Sequence, residues 1–104
     1  MPAYSITEVE TIDREAAREY VRLARAAVGH FGGRYLVLAA SPTAAEGEWS
    51  GNRRLVVIEF ADMATLRTWY DSVEYAPARA LASKALRRRL LFVEGYDAQQ
   101  QTGE

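Results

Sequence analysis

The sequence predicts an α+β domain, a four-stranded antiparallel sheet with helices on one face. Three observations predict it. Segments alternate in the order strand, helix, strand, strand, helix, strand. The strand-type segments are short and rich in β-branched, aromatic and aliphatic residues. The strand–helix–strand unit occurs loosely twice, and right-handed crossovers turn such an order into the ferredoxin-like βαββαβ arrangement.

Ala3 to Val9 alternates, with Tyr4, Ile6 and Glu8 on one side and Ser5, Thr7 and Val9 on the other. Asp13 then supplies an N-cap, and Glu15 an acid in the first helical turn. A helix to about His30 follows from the apolar spacing of Ala17, Tyr20, Val21, Ala24, Ala27, Val28 and Phe31. Gly32-Gly33 ends it. Arg34 to Ala40 reads as a second strand, with Leu36 and Leu38 opposing Tyr35 and Val37. Ser41 to Asn52 is a polar loop.

Leu55 to Ala61 is the third strand, apolar on both faces except at Glu59. Asp62 caps a short helix whose expected buried stripe is Leu66, Trp69, Tyr70 and Val73. Ser72 reads as a second N-cap, and Pro77 falls near the start of a helix running to about Arg88. Arg89 to Tyr96 is the fourth strand. Residues 1–96 therefore form one domain, and the glutamine-rich 97–104 segment a flexible tail.

Composition narrows the function classes. Thirteen basic and fourteen acidic side chains give a net charge of -1, which argues against a nucleic-acid surface. No cysteine and a single histidine exclude thiolate chemistry and multi-histidine metal sites within one chain. His30 alone could supply a histidine ligand to haem, which counts against haem. No cofactor and no metal are expected. Neither a signal peptide nor a membrane-spanning run is read, so the expected compartment is cytoplasmic.

Helices can cover one face of such a sheet, yet both faces read as apolar. Val56, Ile58 and Phe60 oppose Leu55 and Val57, while Leu91 and Val93 oppose Leu90 and Phe92. The simplest cover for the second face is a second copy of the chain, giving a two-fold homodimer. Burying ~600 Å² of apolar surface per chain contributes on the order of 15 kcal/mol before association costs.

The chain resembles the family known as domain of unknown function (DUF) 1330. The resemblance rests on FGGRYLV at Phe31 to Val37, EGEW at Glu46 to Trp49, VVIEF at Val56 to Phe60, WYDSVEY at Trp69 to Tyr75, and LFVEG at Leu91 to Gly95. Two positions depart from the family pattern. Val73 stands where proline is usual, and Ala82 lies near the place of a common arginine. The resemblance implies a dimeric α+β barrel and no established activity.

Glu59 is the sharpest candidate, a lone carboxylate in an apolar strand. It is either a general acid or base in an apolar pocket, or a paired group that closes the dimer. Glu8 and Glu94 are acids near strand ends that either cluster with it or are solvated. His30 is a second acid-base candidate, or a helix-end cation. Tyr70, Ser72 and Tyr75 are candidate pocket residues at the rim of the Glu59 site, with core packing and helix capping as the alternative. Glu48 and Trp49 are loop candidates, Trp49 being equally a lid on its own domain. The arginine run Arg87-Arg88-Arg89 reads as a solvated helix end.

Two functional readings follow. One is a homodimer whose apolar cleft holds a small organic ligand. The other is a cofactor-free isomerase, cyclase or oxygenase that uses Glu59 or His30. A cavity beside Glu59 would favour the enzyme, and a salt-bridged Glu59 the binding reading.

Overall fold

Alternation along the first strand sets the layers. In the computed structural model, which describes residues 1–96, β1 (Ala3–Thr11) buries Ala3, Ser5, Thr7 and Val9 beneath the helices. Its other side carries Tyr4, Ile6, Glu8 and Glu10, all half-buried. The segment expected to form a tail, 97–104, lies outside the described residues.

The first helix, α1 (Arg14–His30), starts where the Asp13 side chain accepts a hydrogen bond from the Ala16 amide at 3.0 Å. It stops where Gly32 takes a φ of 70° and the Gly33 amide donates back to the Val28 carbonyl. A Cβ on Gly33 would stand 2.7 Å from both the Phe60 ring and a Val28 methyl, so the chain passes the core here without a side chain. β2 (Arg34–Ala40) and β3 (Arg54–Phe60) follow, then α2 (Met63–Asp71), α3 (Ala76–Ala85) and β4 (Leu86–Glu94). The sheet is antiparallel throughout, in the order β2-β3-β1-β4. This is the ferredoxin-like fold expected from the element order.

Aromatic side chains fill the core under α2. Trp69 and Tyr75 are buried with ring centroids 4.4 Å apart, and Phe60 lies 5.1 Å from Trp69. Leu66 and Val28 close around them. Each such side chain contributes about 1.5–3 kcal/mol by leaving water.

Four local expectations are corrected. α3 ends at Ala85 and β4 begins at once, so Arg87 and Arg88 belong to the strand and not to a helix end. The pairing of Glu10 with Arg87 and Thr11 with Leu86 holds that extra length in the sheet. Val73 is 81% exposed, because α2 stops at Asp71 before the apolar stripe reaches it. Ser72 closes α2 and does not open α3 directly: its hydroxyl donates to the Trp69 carbonyl and accepts from the Tyr75 amide. Finally, β2 does not alternate cleanly. Register shifts on either side of Val37 leave Tyr35 opposite Ile58 and Val37 opposite Val57, while Ala39 takes a φ of 55°.

No helix among the described residues is long and apolar enough to cross a membrane.

Candidate functional site

Small side chains on two facing surfaces leave a space between α1 and the sheet. β1 offers Ser5 and Thr7 there, and α1 offers Ala17 and Ala24. The result is a cavity of about 110 Å³. Its mouth passes Val21, Leu38, Ala39 and Arg54, all exposed. Its deeper wall includes Ser5 and Trp69, both essentially inaccessible to solvent.

A guanidinium stands at the wall. Arg88 projects from β4 toward the helices, in the same row of the sheet as Val9 and Arg54. Its Nη1 donates to the Tyr20 hydroxyl at 2.7 Å and its Nη2 to the Tyr75 hydroxyl at 3.2 Å. The two hydroxyls share a hydrogen bond of 2.7 Å. One phenol proton bridges the pair, so the other is available to an outside acceptor. Tyr20 lines the cavity and Tyr75 is fully buried behind it, and either hydroxyl is able to donate in the bond they share.

These groups are donors, not bases. Burial, and then the neighbouring Tyr20, push the Tyr75 phenol well above its ordinary value against the pull of Arg88. Burial pushes the Tyr35 phenol up to about 12. Burial works against the Arg88 charge, but the phenol oxygens beside it outweigh this and its pKa is raised. At neutral pH the site therefore carries a fixed positive charge beside the protonated Tyr35 and Tyr75 phenols. Two further polar atoms, Ser5 Oγ and Trp69 Nε1, are buried with no partner among the described residues. Leaving such a group unsatisfied costs about 1–3 kcal/mol.

The model of the family described as "Domain of unknown function (DUF1330)" matches residues 2–96. The chain belongs to the DUF1330 family. Its fold is shared with solved structures at low identity. RPA0582, a protein of unknown function from Rhodopseudomonas palustris, is 15% identical with a TM-score of 0.73, over 92% of this chain and 83% of that one. A dimeric ferredoxin-like protein of unknown function from Jannaschia sp. CCS1 is 11% identical with a TM-score of 0.71, over 91% and 100%. SnoaB, a cofactor-independent oxygenase from Streptomyces nogalater, is 10% identical with a TM-score of 0.62, over 96% and 98%. At such identities the likeness is one of fold. No functionally curated protein matches the chain.

The residues singled out in the sequence do not gather at one point. Glu59 lies on the sheet face away from the helices, where one oxygen accepts from Arg34 at 2.8 Å and the other from the Tyr4 hydroxyl at 3.1 Å. Glu8 shares that face and pairs with Arg89, whereas Glu94 falls opposite Ala3 on the other parity. His30 is exposed at the end of α1, 3.6 Å from Glu74, and shares a shallow surface depression with Ser72. Glu48 is exposed, and Trp49 donates to the Arg53 carbonyl within its own loop. Tyr70 is half-buried, packed between Phe92 and the Arg79 guanidinium.

Of the candidates, only Tyr75 touches the cavity's polar wall, and it does so on the side opposite Glu59. The expectation that Tyr70, Ser72 and Tyr75 rim a Glu59 site is thus corrected: the sheet separates them. Arg88, Tyr20, Trp69 and Ser5 are among the polar residues that line the cavity, together with Thr7, Thr11, Tyr35 and Arg54. Arg88 was legible only through strand parity. Arg87 and Arg89 pair with Glu10 and Glu8 on one face, which turns Arg88 to the other.

Proposed function

We propose that this domain binds a small planar organic molecule in the cavity between α1 and the sheet, and that it does so as a homodimer. The observation that carries the reading is the cavity itself. It is walled by aromatic and aliphatic groups, and polar side chains reach it from α1, α2, β1 and β4. At about 110 Å³ the cavity is smaller than the roughly 150 Å³ that admits benzene, so it takes at most a single ring, with part of the ligand in the open mouth.

The dimer rests on the opposite face of the sheet. There a row of Val37, Val57, Ile6 and Leu91 runs between two polar rows. Arg34, Glu59 and Tyr4 stand on one side of it, and Glu8 with Arg89 on the other. Leu91 and Val93 are 49% and 44% exposed there. Two copies stacked on this face bury the apolar row and keep the ion pairs beside it. Glu59 on this reading is a positioning element of the interface, not an acid-base group.

Catalysis through Glu59 or His30 would require one of them beside the ligand, and neither lines the cavity. The oxygenase among the solved neighbours supports only the capacity of this fold to host a site.

The test is a screen of single-ring compounds by thermal shift, on wild type and on Ala24→Leu, which fills the cavity from α1. Compounds that stabilise wild type and not the variant support the reading. Equal shifts in both proteins, or none in either, overturn it.

A further inference from the structure

We infer that the cavity takes an organic anion, a single-ring carboxylate or phenolate whose charged oxygen meets the Arg88 guanidinium. The inference rests on the cavity being a ligand site.

Charge is the first observation. Among the described residues no aspartate or glutamate lines the cavity, yet two arginines do. Arg54 and Arg88 flank Val9 in one row of the sheet, and two strand spacings set their Cα atoms roughly 10 Å apart. Among the described residues neither forms an ion pair. The contrast within one strand is sharp. Arg87 and Arg89 point outward and each meets a glutamate, at 3.5 and 2.6 Å. Arg88, between them, points inward and meets only phenols. Partial burial makes a cation without a counter-ion costly, and the cost is recovered when an anion arrives.

Hydrogen-bond chemistry is the second. A guanidinium has five N–H donors and no acceptor, and two of the five are engaged here. The Trp69 indole is a donor only, fully buried, and without an acceptor among the described residues. The Ser5 hydroxyl beside the same cavity is also without a partner among the described residues, and the Tyr20–Tyr75 pair holds one phenol proton beyond the one it shares. The wall thus presents a surplus of donors. A ligand bearing oxygen acceptors satisfies it, whereas an ammonium or a hydrocarbon does not.

The third observation is the approach. The surface depression next to the mouth shares Thr11, Ala17, Val21 and Arg54 with the cavity, and adds Arg14 and Arg18. Its one acid, Glu10, is held by Arg87 and Asn52. A chain of net charge -1 therefore offers a positive entrance, which draws anions and repels cations.

Isothermal titration with benzoate, 4-nitrophenolate and the neutral isostere benzamide separates the possibilities, on wild type, Arg88→Met and Arg88→Lys. Wild type is expected to bind at least one anion ten or more times tighter than benzamide, and the tighter anion identifies carboxylate or phenolate. Arg88→Met is expected to lose that preference while still binding benzamide, more weakly than wild type does, and this residual binding reports an intact cavity. Arg88→Lys keeps the charge without the planar fork and retains part of the preference. Benzamide binding as tightly as both anions, or a preference that survives in Arg88→Met, overturns the inference and leaves the ligand site standing. Failure of every probe to bind wild type overturns the ligand site and the inference with it.

Discussion

Replacing Arg88 with methionine removes the charge and keeps most of the apolar stem. Two charge-assisted hydrogen bonds disappear, those to Tyr20 and Tyr75. At about 1.5–3 kcal/mol each they represent roughly 3–6 kcal/mol. Against this stands the penalty of keeping a half-buried cation away from water, which is several kcal/mol for an ion without a carboxylate partner. The phenols remain bonded to each other at 2.7 Å, so neither is orphaned by the change. The opposing effects nearly cancel, and Arg88→Met is expected to unfold within about 1 kcal/mol of wild type. Urea unfolding followed by circular dichroism, at several protein concentrations so that association is separated from folding, measures the difference. A loss of about 3–5 kcal/mol is what breaking a structural buried pair costs. That result would make Arg88 a strut of the fold and refute its assignment to a ligand.

Three further outcomes follow from the packing and the phenols. Gly33→Ala is expected to cost about 1–3 kcal/mol, because Phe60 and Val28 are both fully buried and cannot move aside; chemical denaturation reads the loss. Ala39→Gly is expected to raise stability by about 0.5–1 kcal/mol in the same assay, since relief of the left-handed backbone exceeds the added chain entropy of glycine. Between pH 10 and about 12 the unfolded chain releases phenol protons that native Tyr35 and Tyr75 retain, so stability is complete below pH 10 and falls as pH rises. The slope is at most about 2.7 kcal/mol per pH unit for two tyrosines, and a phenolate absorbance titration should show both ionising late.

Much of this architecture was legible because periodicity is a direct imprint of burial. The alternation of Ser5, Thr7 and Val9 against Tyr4, Ile6 and Glu8 specified the two faces of β1, and Asp13 and Gly32-Gly33 bounded α1. Val56, Ile58 and Phe60 were read on the helix side, and Ile58 and Phe60 are buried there with Val56 packed against them. The site was harder to read, for a physical reason. A carboxylate among valines, as at Glu59, is conspicuous along a strand, but its partners Arg34 and Tyr4 come from two other strands. Arg88 is inconspicuous in a run of three arginines, and its role depends on a strand that begins immediately after α3. The cavity itself arises from what is missing in size at Ser5, Thr7, Ala17 and Ala24. Small residues of that kind also occur in well-filled cores, so only their juxtaposition across two elements reveals a space.

The chain has two tryptophans, Trp49 and Trp69, and their indole N–H groups differ in one decisive respect. Trp49 already donates to the Arg53 carbonyl, whereas Trp69 lies in the cavity wall and its buried N–H has no acceptor among the described residues. Nitrogen-15 NMR during a benzoate titration of wild type and Glu59→Gln therefore tests where a ligand sits. The expected result is a large downfield movement of the Trp69 indole N–H, little change at Trp49, and the same response in Glu59→Gln. A stationary Trp69 signal, with the responding resonances on Tyr4, Ile6 and Val57 around Glu59, would contradict the assignment of the site to the helix side of the sheet.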